Sequence, residues 1–470
     1  MSTYQSFINK KLASVSFGGV PDSSLPDWLF PHQKDLTRWA LRRGRAAVFA
    51  QTGLGKTRIQ LAWADAVARH TGGQVLILAP LAVAEQTVEE GREVGLVVAH
   101  CREAHDAIAD INITNYERLH KFDPNQFVAI VLDESSIIKH ETSKTLKILL
   151  DAFADTPYRL CATATPAPND WTELGTHAEF LGIRSSTEML AEYFVHDGGE
   201  TQTWRLKGHA RKEFWRWVAS WGAMVRSPED LGHDGSLYEL PPLNVEQHTV
   251  ESVVPFGQLF AIEAQTLSDR RAARKESIHH RVKACADIVN ASSDIWLVWC
   301  DLNAEGDALR AAIPDAVEVR GSDSAEDKER RLIDFAHGKI RVLVSKPSIC
   351  GWGMNWQVCH NMAFVGVTDS WEAYYQAVRR CWRFGQTQPV NVHIFASESA
   401  RSRPARKGAV IANLARKEAD AKAMQEALAA ETLSAVRESV LGGKRETNEY
   451  KPAKQITSPS WLFTDMEDAA

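Results

Sequence analysis

One segment near the start of the chain has the residue types and the spacing of a phosphate-binding loop. Residues 50–57 read AQTGLGKT, and they follow a short apolar run and precede a segment with helical periodicity. Glycines let the backbone N–H groups wrap around phosphate oxygens. Lys56 would place its charge on the β- and γ-phosphates, and the Thr57 hydroxyl would ligate Mg²⁺. We therefore predict an ATP site that includes Thr52, Gly53, Gly55, Lys56 and Thr57.

Two neighbouring carboxylates, Asp133 and Glu134, come directly after the apolar run FVAIVL at 127–132. In open α/β sheets, ligands bind at the carboxyl ends of the strands. We expect Asp133 to hold Mg²⁺ through water and Glu134 to polarise the attacking water as general base. A pair of acids at a solvated strand end is the alternative, and the position after the phosphate loop favours the catalytic interpretation.

Three arginines in the second half of the chain lie close together in QAVRRCWRFGQ, residues 376–386. In a continuous helix, Gln376, Arg380 and Arg383 would share one face, at i, i+4 and i+7. A solvated arginine stripe is the alternative interpretation. Beside a nucleotide site, these arginines would instead stabilise the charge on the γ-phosphate as it leaves.

The elements that must position these residues alternate short β-branched runs with helical segments, which predicts parallel sheets covered by helices. The pattern occurs twice, so we expect an α/β protein with two RecA-like lobes, a helical inter-lobe segment and a C-terminal helical extension. The predicted strands are 46–50, 75–80, 127–133 and 158–165 in the first lobe, and 294–300, 316–321, 341–345, 362–367 and 390–395 in the second.

Changes in composition divide the chain into four parts. We place the ATP-binding lobe at 1–182, a tryptophan-rich inter-lobe segment at 183–245, the second lobe at 246–400, and a charged helical extension and tail at 401–470. Leu240-Pro241-Pro242 closes the inter-lobe segment as a stiff linker. Most of the 15 tryptophans are expected in the core.

The amino-acid composition excludes several classes of protein but does not identify a binding partner. The 470 residues carry a formal net charge of −6, so any nucleic-acid contact must be local. Seven scattered cysteines without a CxxC pair speak against a disulfide framework and against a zinc site. No apolar run is long enough to span a bilayer, and we expect a soluble, cytoplasmic protein without a membrane partner.

One local basic stretch is a candidate for such a contact. Residues 268–283 read SDRRAARKESIHHRVK, with positive charge at Arg270, Arg271, Arg274 and Lys275. A solvated helix face and a nucleic-acid contact are equally good interpretations of this pattern.

Taken together, the motifs resemble those of superfamily 2 helicases, and specifically the Swi/Snf-type translocases on duplex DNA. The resemblance spans roughly residues 30 to 386. The matching segments, in order, are FPHQ at 30–33, LAP at 78–80, ITNY at 113–116, DESS at 133–136, TATPAPN at 163–169, GWGMN at 351–355 and RFGQ at 383–386. Ser136, Ala164 and Arg379 depart from the residues usual in that family.

The resemblance implies further roles for individual residues. Gln33 would read adenine, and Gly353 and Gln376 would also line the nucleotide site. The residues implied in nucleic-acid binding are Pro80, Asn115, Thr163, Thr165 and Asn355. The inter-lobe segment is similar to that of short helicases encoded by phages and prophages, in which case the protein would work in the host cytoplasm.

The predicted function is therefore an ATP-driven motor on DNA, with ATP and Mg²⁺ as cofactors and contacts to the backbone rather than to bases. Duplex DNA is favoured over single strands and RNA. The alternatives are a strand-separating or RNA-directed helicase of the same superfamily, a nucleotide-gated recruitment factor with little turnover, and the motor of a restriction system. A nuclease or replication protein would then be a separate partner.

Overall fold

The computed structural model describes most of both predicted lobes. The described residues are 18–21, 24–80, 83–139, 143–167, 170–196, 204–251, 277–350, 354–366 and 371–398, with Leu433, Arg437 and Val440. Of the predicted site residues, Gly353 and the basic group Arg270, Arg271, Arg274 and Lys275 lie outside this set. Of the helices in the described part, none has both the length and the apolar character needed to cross a membrane.

The first sheet has seven strands in the order β3-β4-β2-β5-β6-β1-β9, and every neighbouring pair is parallel. Buried side chains cover both faces of the central strands, as a sheet between helices requires. The strands are β1 Arg45–Ala50, β2 Gln74–Ala79, β3 Val98–His100, β4 Ile111–Asn115, β5 Phe127–Asp133, β6 Tyr158–Ala162 and β9 Gly222–Val225.

The second sheet has six parallel strands in the order β10-β15-β14-β11-β13-β12. Its strands are β10 Leu243–Glu251, β11 Trp296–Trp299, β12 Ala316–Glu318, β13 Val342–Ser345, β14 Asn361–Phe364 and β15 Val390–Glu398. A short antiparallel pair, β7 Phe194–His196 with β8 Trp204–Leu206, lies in sequence between β6 and β9 of the first sheet. The predicted α/β fold with two RecA-like lobes is confirmed.

Helices pack on both sheets. In the first part of the chain they are Pro31–Arg43, Lys56–Thr71, Val83–Glu93, Lys144–Ala152, Leu174–Phe180, Ser186–Tyr193 and Arg211–Trp221. In the second lobe they are Ile278–Asn290, Asn303–Ala312, Ala325–Ala336, Pro347–Cys350 and Trp371–Val378.

The segment 183–245 is more closely joined to the lobes than the sequence suggests. Its strand β9 pairs with β1 and closes one edge of the first sheet, and β10 already begins at Leu243. Trp215 and Trp221 are buried in the core of the first lobe. Four residues of β9 are too few for a distinct periodic pattern, so the sequence did not reveal this strand.

The cysteines and one tryptophan of the GWGMN region are buried. All seven cysteines are buried free thiols. Trp356, which the motif GWGMN precedes, is fully buried in the second lobe and is a core residue.

Candidate nucleotide site between the two lobes

The phosphate loop leaves β1 and opens the helix Lys56–Thr71. Gly53 and Gly55 have φ values of 96° and 78°, in the left-handed region that glycine adopts without steric cost. A Cβ on Gly55 would lie 2.2 Å from Gln33 Nε2, and a Cβ on Gly53 would lie 3.0 Å from Phe384 Cβ of the second lobe. Both glycines are therefore needed for close approach as well as for conformation.

Gln33 holds this loop from the neighbouring helix. Its Nε2 donates to the Leu54 carbonyl at 3.1 Å, and its Oε1 accepts from the Phe30 backbone N–H at 3.1 Å. His32 also lies against the Leu54 carbonyl, and burial lowers the pKa of His32 to about 4, so this imidazole is neutral. Gln33 keeps one N–H and one lone pair for a ligand.

Lys56 faces the two carboxylates at the end of β5. Burial lowers the pKa of Lys56, against the opposing effect of Glu134 and Asp133. Its Nζ donates to the Ala50 carbonyl at 3.2 Å. Burial, and then the charge of Glu134, raise the pKa of Asp133 to about 6, while Gln60 Nε2 donates to Asp133 Oδ1 at 2.6 Å.

Glu134 has a backbone conformation that is rare for a residue with a side chain. Its φ is 50°, and it is the one non-glycine residue of the described chain with a positive φ. Such strain is typical of functional sites. Tyr116 supports the turn, because its hydroxyl donates a hydrogen bond to the Asp133 carbonyl at 2.7 Å. The next residue, Ser135, is buried, and its Oγ lies 3.1 Å from His177 Nε2.

The arginine segment of the second lobe differs from its predicted geometry. The helix Trp371–Val378 ends before Arg380 and Arg383, which lie in the following turns. The expected i, i+4, i+7 face is therefore wrong. Both arginines nevertheless reach the cavity, because the turn folds back against the Met354 carbonyl.

The two arginines differ in how fully they are bonded. Arg380 donates from Nε to the Gln376 carbonyl at 2.8 Å and from Nη2 to Gln376 Oε1 at 2.7 Å. Arg383 makes one longer bond, to the Met354 carbonyl at 3.4 Å, and its buried Nε has no hydrogen-bond partner. Burial, and then the neighbouring Arg380, lower the pKa of Arg383 to about 9. A partly buried guanidinium with so few partners fits an anion in the cavity.

A cavity of about 590 Å³ lies between the lobes and contains these groups. The first lobe contributes Gln33, Thr52, Gly53, Gly55, Lys56, Thr57, Asp133 and Glu134, and the second contributes Asn355, Arg380, Arg383 and Phe384. Gln376, predicted at the nucleotide, is buried beside the cavity rather than lining it. The aromatic residues at the cavity were not predicted, and they are Trp28, Phe30 and Tyr238, with Tyr238 stacked on Phe384 at 4.7 Å.

A chain of hydrogen bonds links Glu134 to the second lobe. Thr163 Oγ1 donates to Glu134 Oε2 at 3.3 Å, and the Thr165 backbone N–H donates to Thr163 Oγ1 at 3.2 Å. Gln376 Nε2 then donates to Thr165 Oγ1 at 3.4 Å. Because Arg380 bonds to the other end of the Gln376 amide, the chain joins a carboxylate of one lobe to an arginine of the other.

Other contacts across the cleft come from the same helix and its following turn. Gln51 Nε2 donates to the Tyr375 hydroxyl at 3.2 Å. Arg379 donates to the Thr52 carbonyl at 3.3 Å and lies over the rings of Tyr375 and Trp382. Arg379, which departs from the pattern of the family that the sequence motifs resemble, is thus a contact between the second lobe and the phosphate loop.

The residues implied in nucleic-acid binding do not share an exposed surface in this conformation. Asn115, Thr163 and Thr165 are buried, and Asn115 Oδ1 caps the turn at Arg118 N at 3.1 Å. Pro80 and Asn355 are partly exposed, and Asn355 Nδ2 lies 3.5 Å from Glu90 Oε1 across the cleft. Their role at nucleic acid stays a prediction.

Comparison with known proteins gives one family match, over residues 32–197, to the model described as SNF2-related domain. Over this range the first lobe resembles an SNF2-related domain. The range includes the phosphate loop, the Asp133–Glu134 pair and the Thr163–Thr165 segment. It covers about a third of the chain, and the second lobe lies outside it.

Two further comparisons add less. No curated protein matches the chain. Among solved structures, the Sulfolobus solfataricus SWI2/SNF2 ATPase core in complex with dsDNA has 17% sequence identity and a TM-score of 0.39, covering 81% of this chain and 89% of that one. This similarity is too low to add to what the SNF2-related match and the sheet topology show.

Proposed function

We propose that the protein is an ATP hydrolase whose turnover is linked to closure of its two lobes. The observation that carries this proposal is the cavity in which Lys56, Asp133 and Glu134 of the first lobe face Arg383 of the second. A phosphate-binding loop alone would bind a nucleotide. A carboxylate pair and an arginine on opposite sides of the same cavity supply the groups for hydrolysis.

The position of each residue in the cavity indicates its role. The phosphate loop and Lys56 bind the triphosphate, and Arg383 neutralises charge that develops on the γ-phosphate. Glu134 accepts the proton of the attacking water from its strained turn. Thr57 and Asp133 are the residues that would hold Mg²⁺, which when bound neutralises phosphate charge. The hard oxygen ligands of this pair fit that ion.

We further propose that DNA stimulates this activity and that the protein moves along duplex DNA. The support is the SNF2-related match over residues 32–197 and the motif series that continues to Gln386. The hydrogen-bond chain from Glu134 to Arg380 offers a route by which a change at either lobe would reach the hydrolytic centre. Contacts to the DNA backbone would give little sequence preference and a strong salt dependence.

The deciding experiment is the steady-state ATPase rate of the full chain with no nucleic acid, duplex DNA, single-stranded DNA and RNA, each at two salt concentrations. Strong stimulation by duplex DNA that is lost at high salt supports a translocase, and displacement of a triplex-forming strand then measures movement. The Lys56→Ala variant is the control for contaminating ATPases.

Other outcomes would replace parts of the proposal. A preference for single strands or RNA would indicate a strand-separating or RNA-directed enzyme. A low, unstimulated rate with intact ATP binding would indicate a nucleotide-gated recruitment factor for a nuclease or replication protein. The phage or prophage setting suggested by the inter-lobe segment stays a prediction.

A further inference from the structure

Three side chains that can ligate a metal meet at one edge of the second sheet, in a group separate from the nucleotide cavity. Strand β10 is the edge strand and pairs with β15, with Glu246 opposite His393. His248 lies two residues beyond Glu246, so it projects from the same face of the sheet. The parallel register therefore brings one carboxylate and two imidazoles together.

The distances between their ligand atoms suit a single ion. His248 Nε2 is 2.9 Å from His393 Nδ1, and Glu246 Oε2 is 3.5 Å from His393 Nδ1. Glu246 Oε1 is 3.9 Å from His248 Nε2. Ligands at about 2.0–2.1 Å from a tetrahedral zinc ion are roughly 3.3 Å apart, so only small side-chain adjustments would bring all three onto one centre.

Neighbouring rings hold both imidazoles in place. His248 stacks on Phe395 with centroids 4.7 Å apart, and the His393 ring lies 5.5 Å from that of Trp296. The Glu246 side chain is 65% exposed, so the third ligand and the approach to the site face solvent.

We propose that Glu246, His248 and His393 form a binding site for a divalent transition metal of the zinc class. Two imidazoles and one carboxylate are a known zinc ligand set with a fourth position left for water. Imidazole nitrogen also disfavours Mg²⁺ and Ca²⁺, which prefer oxygen ligands. The bound ion would fasten edge strand β10 to β15, where the chain enters the second lobe.

The sequence alone did not indicate this site. The cysteine spacing spoke against a zinc site, but these ligands include no cysteine, and Glu246 and His393 are 147 positions apart in the chain. They come together because β10 and β15, the first and last strands of the second sheet in chain order, are paired. No local motif in the sequence indicates that pairing.

The test uses tag-free, chelator-treated full-length protein, with Mg²⁺ in excess to occupy oxygen sites. Zn²⁺ binding is measured by calorimetry, and Co²⁺ is used as a spectroscopic probe because tetrahedral Co²⁺ absorbs strongly in the visible range. We expect one saturable Zn²⁺ site, a Co²⁺ band that Zn²⁺ removes, and a Tm that rises by about 5 °C or more at saturating Zn²⁺.

Variants assign the site to its residues. His248→Gln and His393→Gln should each weaken Zn²⁺ binding on the order of 100-fold or more, since even loss of a residue that only orients a ligand costs about 10- to 100-fold. Glu246→Gln should disturb the fold least of the three variants, because the Glu246 side chain is exposed. His100→Gln is the matched control, since His100 belongs to a second ligand group with Glu85 and Glu329.

The outcomes are distinct and do not depend on ATPase activity. Loss of binding in the His248, His393 and Glu246 variants but not in His100→Gln supports the proposal. No saturable binding by the unaltered chain, equal binding by His393→Gln or Glu246→Gln, or loss confined to His100→Gln would overturn it. Circular dichroism of each variant shows whether a loss of binding reflects a loss of fold.

Discussion

Glu134 sits in a left-handed turn that only its surroundings maintain, with Tyr116 bonded to the preceding carbonyl and Thr163 to its carboxylate. A strained residue kept in this way is placed for chemistry more than for stability. At the scale of single residues, the site is thus a set of side chains held by partners, and some of these, such as Gln60, lie outside the sequence motifs.

Glu134→Gln should retain ATP binding and lose turnover by on the order of 100-fold or more, because the amide cannot accept a proton. Binding of a fluorescent ATP analogue and steady-state hydrolysis measure the two properties separately. Lys56→Ala is the comparison, and it should lose both. Near-normal turnover by Glu134→Gln would show that another group is the base.

Arg383→Ala should lower kcat on the order of 1000-fold with little change in Tm, since Arg383 has few partners inside the protein and faces the cavity. Arg380→Ala should lower kcat and Tm together, because Arg380 is buried and bonds Gln376 at two atoms. Equal effects of the two variants on kcat and on Tm would contradict this division of roles.

His177 is fully buried, and burial lowers its pKa from 6.5 to about 4. Between these values the unfolded chain binds a proton that the folded chain does not, so stability falls as pH decreases from about 6.5 to 4. The loss from this residue would be roughly 3 kcal/mol. Chemical unfolding of wild type and His177→Gln across this range should show a shallower acid dependence in the variant, whereas His279→Gln, at an exposed site, should match wild type.

Among the elements, those with strong local patterns could be predicted and those defined by distant contacts could not. The strand β5 and the phosphate loop follow from an apolar run and from glycine spacing. The helix Trp371–Val378 ends earlier than its pattern suggests because Arg380 turns back to the Gln376 carbonyl. Strand β9 exists because β1 offers it an edge, which no local signal in its four residues reveals.

The described residues of the C-terminal extension are helical, as predicted, and two of them, Arg437 and Val440, contact the first lobe. Val440 is buried in the core of that lobe, and Arg437 donates to the Asp230 and Glu229 carbonyls at 2.6 and 2.8 Å. Val440→Ala should lower the unfolding free energy of the first lobe by about 2 kcal/mol. Val97→Ala, at an exposed valine of the same lobe, is the control, and an equal effect of both would place Val440 outside the core.

For the molecule as a whole, the proposed function makes the cleft the functional unit, because each lobe contributes only some of the groups that line the cavity. The sequence predicted which groups would face one another from the two lobes. It did not predict the contacts that join the lobes, namely Gln376 with Thr165 and Arg379 with Thr52, since these depend on the docking of two separately folded bodies.

Gln376→Met keeps the side-chain volume. It removes the two hydrogen bonds that the Gln376 side-chain amide makes, to Thr165 and with Arg380, and so interrupts the hydrogen-bond chain between the lobes. We expect ATP binding to be retained, and we expect the rise in kcat on adding duplex DNA to fall about tenfold. Gln388→Met changes an exposed glutamine of the same lobe and should behave as wild type. A fully stimulated Gln376→Met enzyme would show that the hydrogen-bond chain does not transmit the DNA signal.

The position of Val440 and Arg437 has a consequence for how the protein can move. The polypeptide builds the first lobe, then the second, and then returns to the first, so the second lobe is attached at both of its ends to the same body. A body held at two points rotates about the line between them more readily than it drifts away. We therefore expect the second lobe to rotate when the cleft opens, about an axis that passes through Leu240-Pro241-Pro242 and the C-terminal attachment.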